Sequence, residues 1–486
     1  MSQVAASPVP WQFVPERIDV ASGADSALHA MDMTTLSALS LSTEALSEHT
    51  AALRAANLAF SKRYPGDSAE GMRQPVHTVY GGGHLFRADT ARKLGDVALR
   101  ALDHYAADAA TFARAIGLDG PPNAALADRV YGRVRDKLAR DPVEDFRIDF
   151  EDGYGARPDA EEDGHVVAAA REVARGFDEQ TLPANIGIRV KPLNEEWRQR
   201  SMRTLDLFLT TLVGALRGQV PRGLVLTVPK VTLVEQVRYF EAALGALEQR
   251  LGLAPSSLRF EIMVEMPQAI VDAAGRCPLP AFVDAGRGRI SGAHFGTYDY
   301  TAACGITAAY QHMQHAACQY ALRTMQAALA GTGVWLSDGS TTVLPVAPYP
   351  NEPTRADNVV AVHRAWRMHY ADVRHSLANG FYQGWDLHPA QLPTRYAALF
   401  TFFLEGIEAA GERLRNFVAK AAQATLVGAV FDDAATGQGL LNYFLRALET
   451  GAISADEALG RSGLTREELH GKSFVKILNH RKGRSS

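Results

Sequence analysis

From about residue 76 the chain alternates short apolar-rich runs with longer stretches whose apolar positions recur every three or four residues. The strand-like runs cover residues 76–80, 145–151, 185–191, 223–230, 258–265, 289–295, 341–347 and 380–387. Between them lie helical patterns at 90–116, 159–177, 196–216, 234–251, 308–329 and 357–379. A parallel strand return needs a crossover, so this alternation predicts a parallel sheet. Eight such units predict a closed (β/α)8 TIM barrel. No GxGxxG with a following acidic residue supports an open dinucleotide-binding sheet.

The flanks read differently. Residues 1–74 mix a Pro-containing start with an Ala/Leu/Ser-rich segment, 33–60, at helical spacing, and predict a helical N-terminal extension. Beyond the barrel at 75–395, the segments 396–418, 419–430, 437–450, 454–459 and 465–469 predict a C-terminal helical region over 396–486. Residues 472–486 are rich in Lys and Arg and read as a frayed basic tail.

Composition narrows the partners. The chain has 486 residues, 47% hydrophobic and 21% charged, with a formal charge of −4, as expected of a globular enzyme without a basic face for nucleic acid or anionic membrane. No segment approaches the roughly 20 apolar residues of a membrane helix, and the start lacks a secretory pattern, so a cytoplasmic protein is expected. Cys277, Cys304 and Cys318 have no CxxC spacing and read as small packed thiols. His312 and His315 share a helix face without the His-Glu-x-x-His arrangement of a zinc site, and read as packed or substrate-facing.

In a parallel barrel the chemistry lies at the C-terminal strand ends. The first strand runs into Gly81-Gly82-Gly83-His84, where Gly82 and Gly83 permit either close approach of a ligand or a plain turn. The second ends in Asp149, Glu151 and Asp152, three acids in four positions that need a cation or arginine beside them. Arg189 closes the third strand, suited to grip a carboxylate or to pair with those acids, and Lys230 adds a second cation after the fourth. Glu265 and Asp299 follow the fifth and sixth strands, one acid each, a donor set that suits Mg²⁺; helix capping or surface pairing is the alternative. His388, after the eighth strand, lies near the mouth as a substrate-binding or loop-orienting residue.

The ordered series GGGHLF, DFEDGYG, IRVKP, VPKV, EIMVEMPQA, GAHFGTYDYTAACG and GWDLHPAQ resembles the superfamily of citrate lyase β-subunits, malyl-CoA lyases and metal-dependent 2-oxo-acid aldolases, over residues 76–392. The resemblance implies a (β/α)8 barrel, Mg²⁺ on Glu265 and Asp299, Arg189 holding an oxo-acid, Glu151 and Asp152 in the active site, and a trimer or hexamer. Mn²⁺ shares the oxygen preferences of Mg²⁺. About 60 residues between Gly83 and Asp145 exceed the usual insert of acyl-CoA-using members. The expected reaction is a carbon–carbon lyase step on a 2-oxo-acid or CoA thioester through a metal-stabilised enolate, with Asp152, His84 or a metal-bound water as base. The rivals are a phosphoenolpyruvate-type phosphoryl-transfer enzyme and a catalytically silent ligand-binding barrel.

Overall fold

The computed structural model describes residues 46–65, 73–118, 124–352, 355–419, 425–427, 430–432 and 434–483. The chain divides into two compact units, Met1–Tyr64 and Pro65–Ser486. In the first, the helix Ser47–Arg63 has no buried side chain. The part of the expected 33–60 helix before residue 46 lies outside the described residues.

The second unit is a closed eight-stranded parallel barrel in sequential order. Its strands are β1 His77–Gly82, β2 Asp145–Asp149, β3 Asn185–Arg189, β4 Leu224–Val228, β5 Arg259–Val264, β6 Ile290–Phe295, β7 Trp335–Ser340 and β8 Gln383–Asp386. Alternation of side chains divides each strand between two environments. On the outer face Phe146 meets Phe86, and Phe260 meets Phe240 of the helix Val234–Leu251, with ring centroids 5.4 and 5.2 Å apart. That helix buries Val237, Phe240, Leu244 and Glu248, one face at helical spacing, and stops at Gly252 in the left-handed conformation.

The inner face is polar. Arg147, fully buried, donates to Asp145 at 2.5 Å, Glu261 at 2.8 Å and Thr227 at 2.9 Å. Glu261 also meets His294 at 2.8 Å, and Thr78 donates to Asp145 at 2.8 Å. This ionic layer joins five strands and forms the floor beneath the mouth. Gly187 of β3 is obligatory here, because a Cβ would lie 1.6 Å from the Val225 carbonyl oxygen on β4.

Several elements depart from the sequence reading. The seventh strand is Trp335–Ser340, one segment earlier than the expected 341–347. The first crossover holds three helices, Thr90–Tyr105, Ala109–Ile116 and Ala124–Arg140, where the pattern at 90–116 predicted one. Asp108 ends that continuity by capping the second helix, accepting from the Thr111 amide at 2.8 Å. In place of a helix over 419–430, Thr425–Val427 and Val430–Asp432 pair antiparallel as β9 and β10. The basic end contains the helix Phe474–Gly483 rather than fraying throughout. Cys318 is buried, whereas Cys277 and Cys304 are exposed and not packed. Among the described residues no helix is long and apolar enough to cross a membrane.

The helix Leu392–Ala419 packs along Ala356–Ala378 and Ala124–Arg140 and carries Arg395 back to β8. There Asp386, fully buried, meets Arg395 at 2.9 Å, His77 at 2.8 Å and His369 at 3.0 Å. Burial raises the Asp386 carboxyl, but Arg395 and the two histidines outweigh it and hold it well below the usual carboxylate range. Its contribution to stability is therefore present above about pH 4 and lost as pH falls through the lower folded value. Asp386→Asn is expected to cost about 3–5 kcal/mol near neutral pH. The gap to the native protein in urea midpoints should narrow as pH drops below about 4.

Candidate active site

Asp149 and Arg189 are register partners at the ends of β2 and β3. The Arg189 Nε and Nη2 groups donate to the two Asp149 oxygens at 2.8 and 2.6 Å, and the guanidinium lies 4.8 Å from the Tyr80 ring centroid. Asp149 also accepts from the amides of Glu151 at 3.0 Å and Gly153 at 2.7 Å, so the acidic loop is wound around its carboxylate. Gly153 makes this winding possible, since a Cβ there would lie 2.6 Å from Asp149 Oδ2. With Asp149 occupying one edge of Arg189, the Nη1 group faces Glu151 at 3.1 Å and Asp152 at 3.8 Å.

The ends of β4, β5 and β6 supply the opposite side. Lys230 follows β4 with φ of 51°, and its amide donates to Glu265 at 2.7 Å. Its ammonium contacts Glu151 and lies 3.2 Å from Asp152 and 3.6 Å from Asp299. Glu265 is 1% exposed, whereas the Asp299 side chain, in the first turn of the helix Thr297–Ala303, is 39% exposed. Gly296 lets this helix start against Glu265, because a Cβ there would stand 2.5 Å from Glu265 Oε2.

The charges do not balance. Asp149, Glu151, Asp152, Glu265 and Asp299 meet two cations, Arg189 and Lys230. Burial pushes the Glu265 carboxyl up to about 8, Lys230 opposes this, and Asp299 and Glu151 add to it. Burial likewise pushes Glu151 up to about 7 against Arg189 and Lys230, with Asp152 reinforcing the rise. Asp152 is held below its ordinary value: burial acts upward and is outweighed by the hydrogen bond with Glu151, by Arg189 and by Lys230. Lys230 is held above its ordinary value, burial being outweighed by Glu265 and Glu151. Two acidic groups are thus left short of positive charge at neutral pH.

Of the remaining predicted residues, Gly82 is in register with Asp149 and the Gly83 amide donates to the Asp149 carbonyl at 2.8 Å, while His84 and His388 enter none of these ion pairs. His84 faces Tyr154 and His165, with ring centroids 5.6 and 5.9 Å away, and burial, Arg157 and His165 lower its pKa. Gly82 and Gly83 make room for protein rather than open space: their Cβ atoms would stand 2.7 Å from His84 Cε1 and 2.4 Å from the Phe150 ring. His388 accepts from the Ala390 amide at 3.1 Å as the cap of the turn Pro389–Gln391. His315 caps the helix Ala316–Leu329 in the same way, accepting from the Ala317 amide at 3.1 Å. Tyr80 beneath Arg189 and the Arg147 layer escaped the sequence reading, although Asp145, Arg147 and Asp149 at every second position of β2 were a signal for the layer.

Among the described residues no three His, Cys, Asp or Glu side chains gather closely enough to cage a metal. Glu265 and Asp299 are bridged by Lys230, and two carboxylates are as many as a hard cation that keeps most of its water could use.

No curated protein matches the chain in sequence. Among solved structures it is similar to a citrate lyase from Burkholderia xenovorans LB400, at 17% identity and a TM-score of 0.53, over 81% of this chain and 98% of that one. Further matches are CitE from Mycobacterium tuberculosis in complex with magnesium, acetoacetate and coenzyme A (13% identity, 81% and 99% of the two chains, TM-score 0.42) and a magnesium/glyoxylate complex of Haloferax volcanii malate synthase (15%, 83% and 99%, 0.42). The likeness to the citrate lyase shows the barrel fold that the motif series implied. A family model described as a domain of unknown function, DUF6986, matches residues 53–477, and the chain belongs to that family.

Proposed function

We propose that this protein is a Mg²⁺-dependent carbon–carbon lyase of the aldolase type, acting on a 2-oxo-acid or acyl-CoA-derived substrate through an enolate. The observation that carries the reading is the charge deficit at the mouth: five acids gather around Arg189 and Lys230, and the buried Glu151 and Glu265 are pushed up to about 7 and 8. Glu265 and Asp299, on adjacent strand ends, fit Mg²⁺, which takes one or two carboxylates and completes its shell with water and substrate oxygens. When bound, the metal supplies a Lewis acid for an oxygen of the substrate.

The protein's own residues supply the rest. Arg189, clamped by Asp149 along its Nε and Nη2 edge, presents Nη1 to the substrate carboxylate. Glu151, pushed up to about 7 and next to that Nη1, is matched to accept and return a proton near neutral pH. Asp152 stays ionised and keeps Lys230 and Arg189 oriented toward the mouth. His84 is not assigned a proton-transfer role, because its ring packs with Tyr154 and His165. The phosphoenolpyruvate alternative draws on Mg²⁺, Arg189, Lys230 and the glycine run together, and of these the glycine run packs against His84 and Phe150.

Incubation with pyruvate and Mg²⁺ in D₂O is expected to deuterate the methyl group, followed by proton NMR. Glu265→Ala should stop the exchange while the protein stays folded, and exchange that persists in this variant rejects the metal assignment. Phosphate released from phosphoenolpyruvate, with no methyl exchange, would favour the phosphoryl-transfer reading instead.

Asp149 is a positioning residue in this scheme. Asp149→Asn should slow the exchange by about 10–100-fold, as loss of an outer-shell orienting partner does. Mn²⁺ affinity should stay at the native level, because Asp149 does not face Glu265 or Asp299. A variant that loses metal affinity along with exchange would place Asp149 in the metal site and not behind Arg189.

A further inference from the structure

Six non-glycine residues among those described have a positive φ: Gln180, Arg217, Lys230, Ser256, Arg287 and Lys472. Four of them lie just beyond a helix C-terminus, after Asp159–Asp178, Arg198–Ala215, Leu279–Ala285 and Arg466–His470, where the left-handed conformation is ordinary, and Ser256 sits in the surface turn closed by the Ser257 amide on the Ala254 carbonyl. Lys230 alone follows a strand. A side chain in that conformation is disfavoured unless surrounding contacts enforce it, and such strain gathers at functional sites.

The contacts that enforce it are all acidic. The Lys230 amide is turned onto Glu265 at 2.7 Å, and its ammonium contacts Glu151 and approaches Asp152 at 3.2 Å and Asp299 at 3.6 Å. One residue thereby touches acids from the ends of β2, β5 and β6, its ammonium set among Glu151, Asp152 and Asp299 and its amide on Glu265. We propose that Lys230 is a built-in counter-ion of this site, which holds the acids together in the metal-free protein and is displaced from Asp299 when a divalent metal binds. This rests on the reading of Glu265 and Asp299 as the metal ligands.

The physical reason is exclusion between like charges. Oxygen ligands hold Mg²⁺ at about 2.0–2.1 Å, which would put a divalent ion within a few ångströms of an ammonium that now sits beside the same Asp299 oxygen. In a mouth walled by buried groups this repulsion is far stronger than in water. The lysine has somewhere to go: its side chain is 25% exposed, and its four-carbon stem is flexible. The metal therefore binds in competition with the protein's own cation, and Lys230 sets the metal concentration at which the site fills.

Titration of the full-length protein with Mn²⁺, followed by electron paramagnetic resonance and by calorimetry, tests the competition. Lys230→Gln removes the charge and is expected to tighten Mn²⁺ binding about ten-fold or more, the scale set by removing one nearby like charge. Lys230→Arg keeps the charge and should not tighten it. Metal-free Lys230→Gln should melt below the native protein, and saturating Mn²⁺ should raise its melting temperature more than it raises that of the native protein. Binding by Lys230→Gln that is unchanged or weaker overturns the proposal, as does equal tightening in both variants. Should the glutamine variant be too unstable for titration, recovery of folding by Mn²⁺ supports the proposal and failure to recover overturns it. If the native protein binds no Mn²⁺, the metal-site reading fails. If the native protein binds it and Glu265→Ala does not, while Lys230→Gln is unchanged, only the role of Lys230 fails.

Discussion

The bidentate pair between Asp149 and Arg189 is the constraint on which the mouth depends. The two residues end neighbouring strands in register, so the barrel brings their side chains to one level and one face. The Asp149 carboxylate accepts four hydrogen bonds, two from Arg189 and one each from the amides of Glu151 and Gly153, which fills its accepting capacity. A single carboxylate thus sets both the orientation of the guanidinium and the path of the acidic loop. Both charges are buried, and removal of either would strand the other, which is far more costly than the pair's net contribution to stability. The pair earns its place through geometry.

The ionic layer beneath extends the same logic. A barrel interior is ordinarily filled by branched apolar side chains. Here Asp145, Arg147, Glu261 and His294 interlock with Thr78 and Thr227 instead. Hydrogen bonds have directions that methyl contacts lack, so such a layer fixes the rotation of each strand relative to its neighbours. Glu261 and Glu265 project from the same side of β5 and its extension, and Asp145, Arg147 and Asp149 from the same side of β2. The floor therefore helps to aim the residues above it, and the Tyr80 ring carries that order upward, with the Arg189 guanidinium 4.8 Å over its centroid.

Much of this was legible in the sequence because β-strands write their two faces with a period of two. β2 reads Asp-Phe-Arg-Ile-Asp, and its Phe146 packs outward against Phe86 of the loop after β1 while its charged members line the barrel. The residues Glu151, Asp152, Arg189, Lys230, Glu265 and Asp299 were legible from their place at the C-terminal ends of strands, and the structure joins them in one contact network. The seventh strand was not legible. Its Trp-Leu-Ser-Asp-Gly-Ser has weak intrinsic preference for a strand, while the neighbouring Thr-Thr-Val-Leu-Pro-Val-Ala looks more like one, and pairing with β6 and β8 decided the matter. The glycine run was open to two readings because glycine reports only that space is needed. Whether a ligand or a protein side chain fills that space is a tertiary fact, and here His84 and Phe150 do so.

The surplus of acid at the mouth is the strongest sign that the site works with a partner that brings positive charge. Unpaired buried carboxylates are expensive, and an idle surface would have no reason to gather them. Here the expense is built in at several independent points: the winding of the loop about Asp149, the absence of a side chain at Gly296, and the left-handed turn at Lys230. Each brings an acid closer to its neighbours rather than farther away. Glu265 lies at the buried end of the group and Asp299 at the exposed end, so water reaches one carboxylate far more readily than the other. Lys230 spans the same two residues. The gradient from wet to dry and the lysine that bridges it belong to one arrangement, set in front of an Arg189 that Asp149 holds fixed.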